Sequence, residues 1–154
     1  RRIYGDDSRA GSRSARRMIL VDTNVLIDLA YGRTPRGDWA KAGVSGACAS
    51  GPVVINPIVL AELAPAFDAL ETLLGFVSTM GIGIVELSDA AAFRAGQAHL
   101  AYRQASGPRN AILADFLVGG HASALGATLL TRDRQRFAGY FPELTIISPE
   151  ADHD

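Results

Sequence analysis

Asp22, Glu62, Asp115 and Asp133 stand where an acid is costly. Asp22 closes the run Ile19-Leu20-Val21, and Glu62 interrupts Ile58-Val59-Leu60-Ala61 and Leu63. Asp115 lies between Ala111-Ile112-Leu113-Ala114 and Phe116-Leu117-Val118, and Asp133 follows Thr128-Leu129-Leu130-Thr131. A carboxylate taken out of water either shifts its pKa or finds a partner. No matching set of cations lies in these apolar stretches. The economical reading is that the four acids converge on a bound metal ion. Oxygen ligands of this kind suit a hard cation, Mg²⁺ or Mn²⁺. Each acid taken singly has a plainer explanation. Asp22 and Asp133 could cap the helices that follow them, and Glu62 could be a solvated helix residue. Asp115 resists dismissal most, because its neighbours are apolar on both sides.

The elements that must position these acids follow from periodicity and punctuation. Residues 18–22 form a short apolar run with polar flanks, as a buried parallel strand does. A short helix is expected from Thr23 to about Leu29, with Gly32 and Pro35 breaking it, and a second, weaker one from Trp39 to about Cys48. Val53-Val54-Ile55 reads as a strand, and Asn56-Pro57 as a helix start with Pro in the first turn. That helix carries Glu62 and ends or kinks near Pro65. Phe67, Leu70, Leu73, Leu74 and Val77 predict a helical face from Ala66 to about Met80. A strand over 82–87 comes next, then a helix from Ala90 to about Gln104 capped by Ser88-Asp89. Gly107-Pro108 precedes another helix from Arg109 to about Leu125, with Gly126 at its end. Thr128 to Thr131 is a strand, Arg134 to about Tyr140 a helical turn, and Leu144 to Ile147 a last strand. Alternating strands and helices imply an α/β protein, a parallel sheet covered on both faces. Asp22 and Asp133 then fall at the carboxyl ends of strands, where ligands of open α/β sheets bind.

Composition sets the bounds. The chain has 154 residues, enough for one domain with a real core, and is 48% apolar and 20% charged. No apolar run approaches the roughly 18 to 20 residues of a membrane span, and no signal-peptide pattern opens the chain. The single cysteine, Cys48, excludes an internal disulfide and fits a reducing cytoplasm. Residues 1–17 carry six arginines against two aspartates, a charge of +4; against a total of −1, this leaves −5 for the rest. An acidic body suits cations, and it accepts a nucleic acid only once metal neutralises the pocket. Residues 1–17 lack periodic apolar positions and read as a flexible Arg-rich arm, an expression remnant or a fused upstream peptide. They are placed outside the fold, with an Arg of the arm near the acids as one further possibility. Residues 18–149 form the domain, and residues 150–154 a polar tail.

The motifs Val21-Asp22-Thr23-Asn24-Val25-Leu26, Leu60-Ala61-Glu62-Leu63, Ile112-Leu113-Ala114-Asp115-Phe116-Leu117 and Leu130-Thr131-Arg132-Asp133 resemble, in order and spacing, the PIN domain family. Gly107-Pro108-Arg109-Asn110 to His121-Ala122, and Thr131-Arg132-Asp133-Arg134 followed by Tyr140-Phe141-Pro142, look like VapC-type toxins. The resemblance spans residues 18 to about 149. It implies a three-layer α/β/α sandwich with a central parallel sheet, and a metal-dependent endoribonuclease acting on tRNA or ribosomal RNA. It further implies the toxin of a toxin–antitoxin pair: a cytoplasmic homodimer restrained by a cognate antitoxin. Carried over by motif, Asp22, Glu62, Asp115 and Asp133 are the catalytic, metal-binding acids. Thr23, Asn24 and Thr131 support them. Four acids permit one ion or two.

Other residues carry weaker signals. Arg109, Arg132, Arg134 and Arg136 flank the acids and could contact phosphates, Arg132 best of all because it separates Thr131 from Asp133. Tyr31 and Trp39 could stack bases or pack in a core. His99 and His121 read as structural or surface residues, and His153 falls in the tail. Gly119 and Gly120 are costly inside a helix, by about 1 kcal/mol each relative to alanine, unless something packs closely there. Two other enzyme classes place an acid after a first strand. An aspartyl phosphatase needs a second Asp where Asn24 stands, and a receiver domain needs a Lys after a later strand, whereas the only lysine is Lys41. A non-catalytic module that keeps the fold for RNA or partner contacts is the alternative of a different class.

Overall fold

A computed structural model describes residues 2–3, 17–105 and 112–149. The strands are β1 (Arg2–Ile3), β2 (Ile19–Val21), β3 (Val53–Ile55), β4 (Gly83–Val85), β5 (Thr128–Leu130) and β6 (Ile146–Ile147). The helices are α1 (Thr23–Ala30), α2 (Pro35–Ser50), α3 (Pro57–Leu63), α4 (Leu70–Thr79), α5 (Asp89–Gln104), α6 (Leu113–Leu125) and α7 (Arg134–Tyr140). All strand pairs are parallel, in the order β1-β4-β3-β2-β5-β6. Every residue of β2, β3 and β5 is buried, which is why these strands read as unbroken apolar runs.

From β2 the chain steps outward to β3 and β4, then crosses back to β5 on the other side of β2 and on to β6. By the right-handed crossover rule α1–α4 belong to one face of the sheet and α5–α7 to the other. α1 lies on α2 and α3, and α6 on α5 and α7, while α3 also meets α6. The result is the expected α/β/α sandwich. The strand order reverses between β2 and β5, and the crevice beyond their carboxyl ends is the place such a sheet leaves for a ligand.

Local chemistry sets the boundaries. Asp22, Asn56, Ser88 and Asp133 cap α1, α3, α5 and α7 through their side chains. Gly126, at φ 63°, closes α6 in the left-handed conformation that glycine tolerates. α2 is longer than expected: Thr34 caps it, and Pro35 opens it instead of merely ending α1. α4 begins later than expected, at Leu70, because Ala64–Ala66 form a 3₁₀ turn around Pro65. The last strand is confined to Ile146–Ile147.

Residues 1–17 were placed outside the fold, yet the backbone of Arg2–Ile3 pairs with Ile84 and Val85 at the sheet edge. Arg17 also donates to the Thr145 hydroxyl at 3.2 Å. β1 is separated from β2 by β4 and β3, so this pairing is remote from Asp22. Residues 4–16, the 106–111 segment with Arg109, and the 150–154 tail with His153 lie outside the described residues. The costly glycines have a packing explanation within the chain. A Cβ on Gly119 would come within 2.6 Å of the Phe141 ring and 2.9 Å of Phe137. Gly120 faces Ala95 of α5, the nearest atom to a Cβ there lying at 3.4 Å.

Candidate active site

The four acids come from four separate segments. Asp22 leaves β2 and caps α1; its Oδ1 accepts the Thr23 backbone N–H at 2.8 Å. Asp133 follows β5 and caps α7. Asp115 sits in the first turn of α6, where the helix dipole favours an anion. Glu62 is the penultimate residue of α3, at the end that dipole makes unfavourable, and is exposed. A polar chain joins them all. The Thr23 hydroxyl donates to Glu62 Oε1 at 2.8 Å. The Thr131 hydroxyl donates to Asp22 Oδ2 at 2.8 Å and accepts the Asp133 backbone N–H at 3.1 Å. Arg136 then ties Asp133 to Asp115, through Nη2 at 2.7 Å and Nη1 at 3.4 Å.

Asn24 holds the two strand ends together. Its Oδ1 accepts the Arg132 backbone N–H at 3.2 Å, and its Nδ2 lies 3.5 Å from the Thr131 hydroxyl. Thr23, Asn24 and Thr131, the three supporting residues, therefore all fall in the network. Thr131 is fully buried, so its hydroxyl must be satisfied by protein partners.

Burial and like charge act together on the acids. Asp22 is only 7% exposed. Desolvation pushes its carboxyl from the ordinary 3.8 up to about 6, against the hydrogen bonds from Thr131 and Thr23, and the charges of Asp115 and Glu62 push the same way. Asp115 is also raised, first by burial, while the Arg136 guanidinium opposes the shift and Glu62 and Asp133 reinforce it. The Tyr140 phenol is raised by burial and by Asp115; its ring stacks on Phe116 at 4.5 Å, which places it beside the acids. Carboxylates on four segments thus feel one another, the field that a cation would relieve.

The arginines divide in a way the sequence did not indicate. Arg132, expected to be the best phosphate contact, donates through Nε to the buried Asp28 at 2.9 Å. Arg134 donates through Nη2 to the Ile146 carbonyl at 2.8 Å, and its Nε is buried without a hydrogen-bond partner. Arg136 faces the acids. Trp39 packs against the core, while Tyr31 stands 78% exposed just past α1. His99 meets the Phe116 ring edge-on at 5.1 Å. His121 is buried, with its Nδ1 3.2 Å from Asn56 Nδ2.

Asn56, legible in the sequence as part of a helix start, is also a positioning residue. It is fully buried. Its Oδ1 accepts the backbone N–H groups of Ile58 and Val59, and its Nδ2 donates to the Leu117 carbonyl at 3.2 Å. One side chain therefore clamps α3, which carries Glu62, to α6, which carries Asp115. Neither Asn56 nor Asp28 carried a signal beyond a polar residue in an apolar setting.

The fold is a parallel α/β sheet with linked acidic residues at its switch point. The PIN domain model matches residues 19–140, and the chain belongs to the PIN domain family. Solved structures with this fold include VapBC2 from Rickettsia felis bound to a promoter DNA fragment, at 21% identity and a TM-score of 0.66, covering 85% of this chain and 98% of that one. A toxin–antitoxin complex from Klebsiella pneumoniae matches at 25% identity and a TM-score of 0.63, covering 85% and 97%. VapBC-1 from nontypeable Haemophilus influenzae matches at 18% and 0.65, covering 85% and 97%. No curated protein matches the sequence. These structures share the fold of this chain, as the motif resemblance to the PIN domain family implies.

Proposed function

We propose that this protein is a divalent-metal-dependent endoribonuclease, the toxin of a toxin–antitoxin pair, with tRNA or ribosomal RNA as substrate. The observation that carries the reading is the polar network that links Asp22, Glu62, Asp115 and Asp133 through Thr23, Thr131 and Arg136. In donor chemistry the four carboxylates fit Mg²⁺ or Mn²⁺. Burial, reinforced by the charges of neighbouring acids, raises Asp22 and Asp115, which fits a site completed by positive charge. Bound there, either ion supplies positive charge for the phosphate and acidifies a water molecule.

The chain's own residues do the rest. Thr131 and the Thr23 N–H fix the Asp22 carboxylate, so it need not reorganise when substrate arrives. Thr23 orients Glu62. Asp115, in the first turn of α6, would share the ion with Asp22, Glu62 and Asp133. The water adds to phosphorus as its proton passes to a carboxylate, and the bond to the leaving oxygen breaks, that oxygen taking up a proton from solvent. A cognate antitoxin and a second copy of this chain are the expected protein partners, and the lone Cys48 suits the cytoplasm. No helix among the described residues is long and apolar enough to cross a membrane.

The second reading is a PIN fold that binds RNA or a partner without cutting. In its favour, no three acids among the described residues stand as a ready-made cation site. The test is incubation of total tRNA and ribosomal RNA with Mn²⁺ or Mg²⁺, using wild type and Asp115→Asn. Discrete products that need the ion and vanish in the variant support the nuclease. Intact RNA with a folded, metal-bound protein supports the binding module.

A further inference from the structure

Arg136 holds more of this site than any other cation among the described residues. Both of its terminal nitrogens are used, Nη2 on Asp133 Oδ2 at 2.7 Å and Nη1 on Asp115 Oδ2 at 3.4 Å. Its backbone N–H points at the other Asp133 oxygen, Oδ1, at 3.4 Å. Asp133 is therefore engaged at both oxygens by one residue. The neighbouring arginines offer no substitute, since Arg132 is spent on Asp28 and Arg134 on the Ile146 carbonyl.

We propose that Arg136 is a resident counter-ion of the acidic crevice, which holds Asp115 and Asp133 together and which an entering divalent cation must displace. The inference rests on the metal-dependent reading above. A guanidinium spreads a single charge over two carboxylates, whereas Mg²⁺ or Mn²⁺ brings twice that charge to the same oxygens. The Arg136 side chain is 45% exposed, so it can swing into water without being stranded. A cation that competes for the two carboxylates can free it. Arg136 thus keeps the site intact without metal and lowers the affinity of the metal that replaces it.

The experiment is a calorimetric Mn²⁺ titration of wild type, Arg136→Gln, Arg136→Lys and Asp115→Asn, paired with thermal melts in chelator. Two partly exposed ion pairs are at stake, so Arg136→Gln is expected to bind Mn²⁺ about three- to tenfold tighter than wild type. It should also melt earlier in chelator and recover when Mn²⁺ is added. Arg136→Lys, a point charge that cannot span both carboxylates, should fall between them. Should Arg136→Gln not fold in chelator, the Lys variant decides alone: tighter binding than wild type supports the proposal. Equal or weaker Mn²⁺ binding in these variants, with wild type binding normally, overturns it and leaves the metal site standing. If no protein binds Mn²⁺ better than Asp115→Asn, the metal site fails, and the role of Arg136 fails with it.

Discussion

Thr131 donates its hydroxyl to the Asp22 carboxylate at 2.8 Å, across 109 residues of sequence. The two residues end neighbouring parallel strands, β2 and β5, on either side of the point where the strand order reverses. The same hydroxyl accepts the Asp133 N–H, so one buried oxygen holds two of the four acids in register. This is the join between the halves of the sheet and also the floor of the acidic crevice.

Thr131→Val keeps the shape and deletes the hydroxyl. A hydrogen bond to a charged, buried acceptor contributes about 1.5 to 3 kcal/mol, and the variant is expected to lose about 2 kcal/mol of stability at neutral pH by urea unfolding. Asp22 should titrate still higher, because Thr131 is its leading opposing influence. An unfolding midpoint equal to that of wild type would show that the hydroxyl does not hold Asp22.

Stability should fall with rising pH through the range set by Asp22. Its folded value, about 6, lies above the ordinary 3.8 of an unfolded aspartate, so the folded state binds the proton more tightly. The penalty is absent below the unfolded value, grows between the two, and is complete above about 6. The shift corresponds to about 3 kcal/mol in order of magnitude. Asp115 is raised too and adds in the same direction. The difference in unfolding free energy between wild type and Asp22→Asn, measured in chelator at acid and neutral pH, isolates the effect. The variant should gain on wild type as pH rises; a pH-independent difference contradicts it.

The sheet and the place of three acids were legible because of how buried parallel strands are written. Ile19-Leu20-Val21 and Leu129-Leu130 are apolar on both faces, so the polar residue that ends each run, Asp22 or Thr131, marks the strand's carboxyl end. Asp115 was legible for the converse reason, an acid inside an apolar helix. What stayed hidden depends on contacts between distant segments. Arg132 and Arg136 are alike in sequence, but the turn of α7 aims Arg136 at Asp133 and Asp115, while Arg132, just before that helix, meets Asp28 of α1. α2 was underestimated because its glycines and alanines give little apolar contrast, although Thr34-Pro35 is a sound start signal. The clamp from Asn56 to α6 joins residues 61 apart and leaves no local trace.

Asn56→Ala tests that clamp. Losing the cap of α3 and the buried contacts to Leu117 and His121 should cost about 2 to 3 kcal/mol. Because the contact sets Glu62 against Asp115, cleavage should also weaken at saturating Mn²⁺ under conditions where the variant remains folded. Wild-type stability by urea unfolding would show that α3 is positioned by packing alone.

The most direct measurement is the Mn²⁺-dependent rate of RNA cleavage by four single variants on one substrate: Asp22→Asn, Glu62→Gln, Asp115→Asn and Asp133→Asn. If the four carboxylates form one site, each folded variant should lose on the order of 100-fold or more. Combining two substitutions should add little, since groups that act as a unit are not additive. A folded variant that keeps the wild-type rate would remove its acid from the site, and wild-type rates in all four would place the chemistry elsewhere.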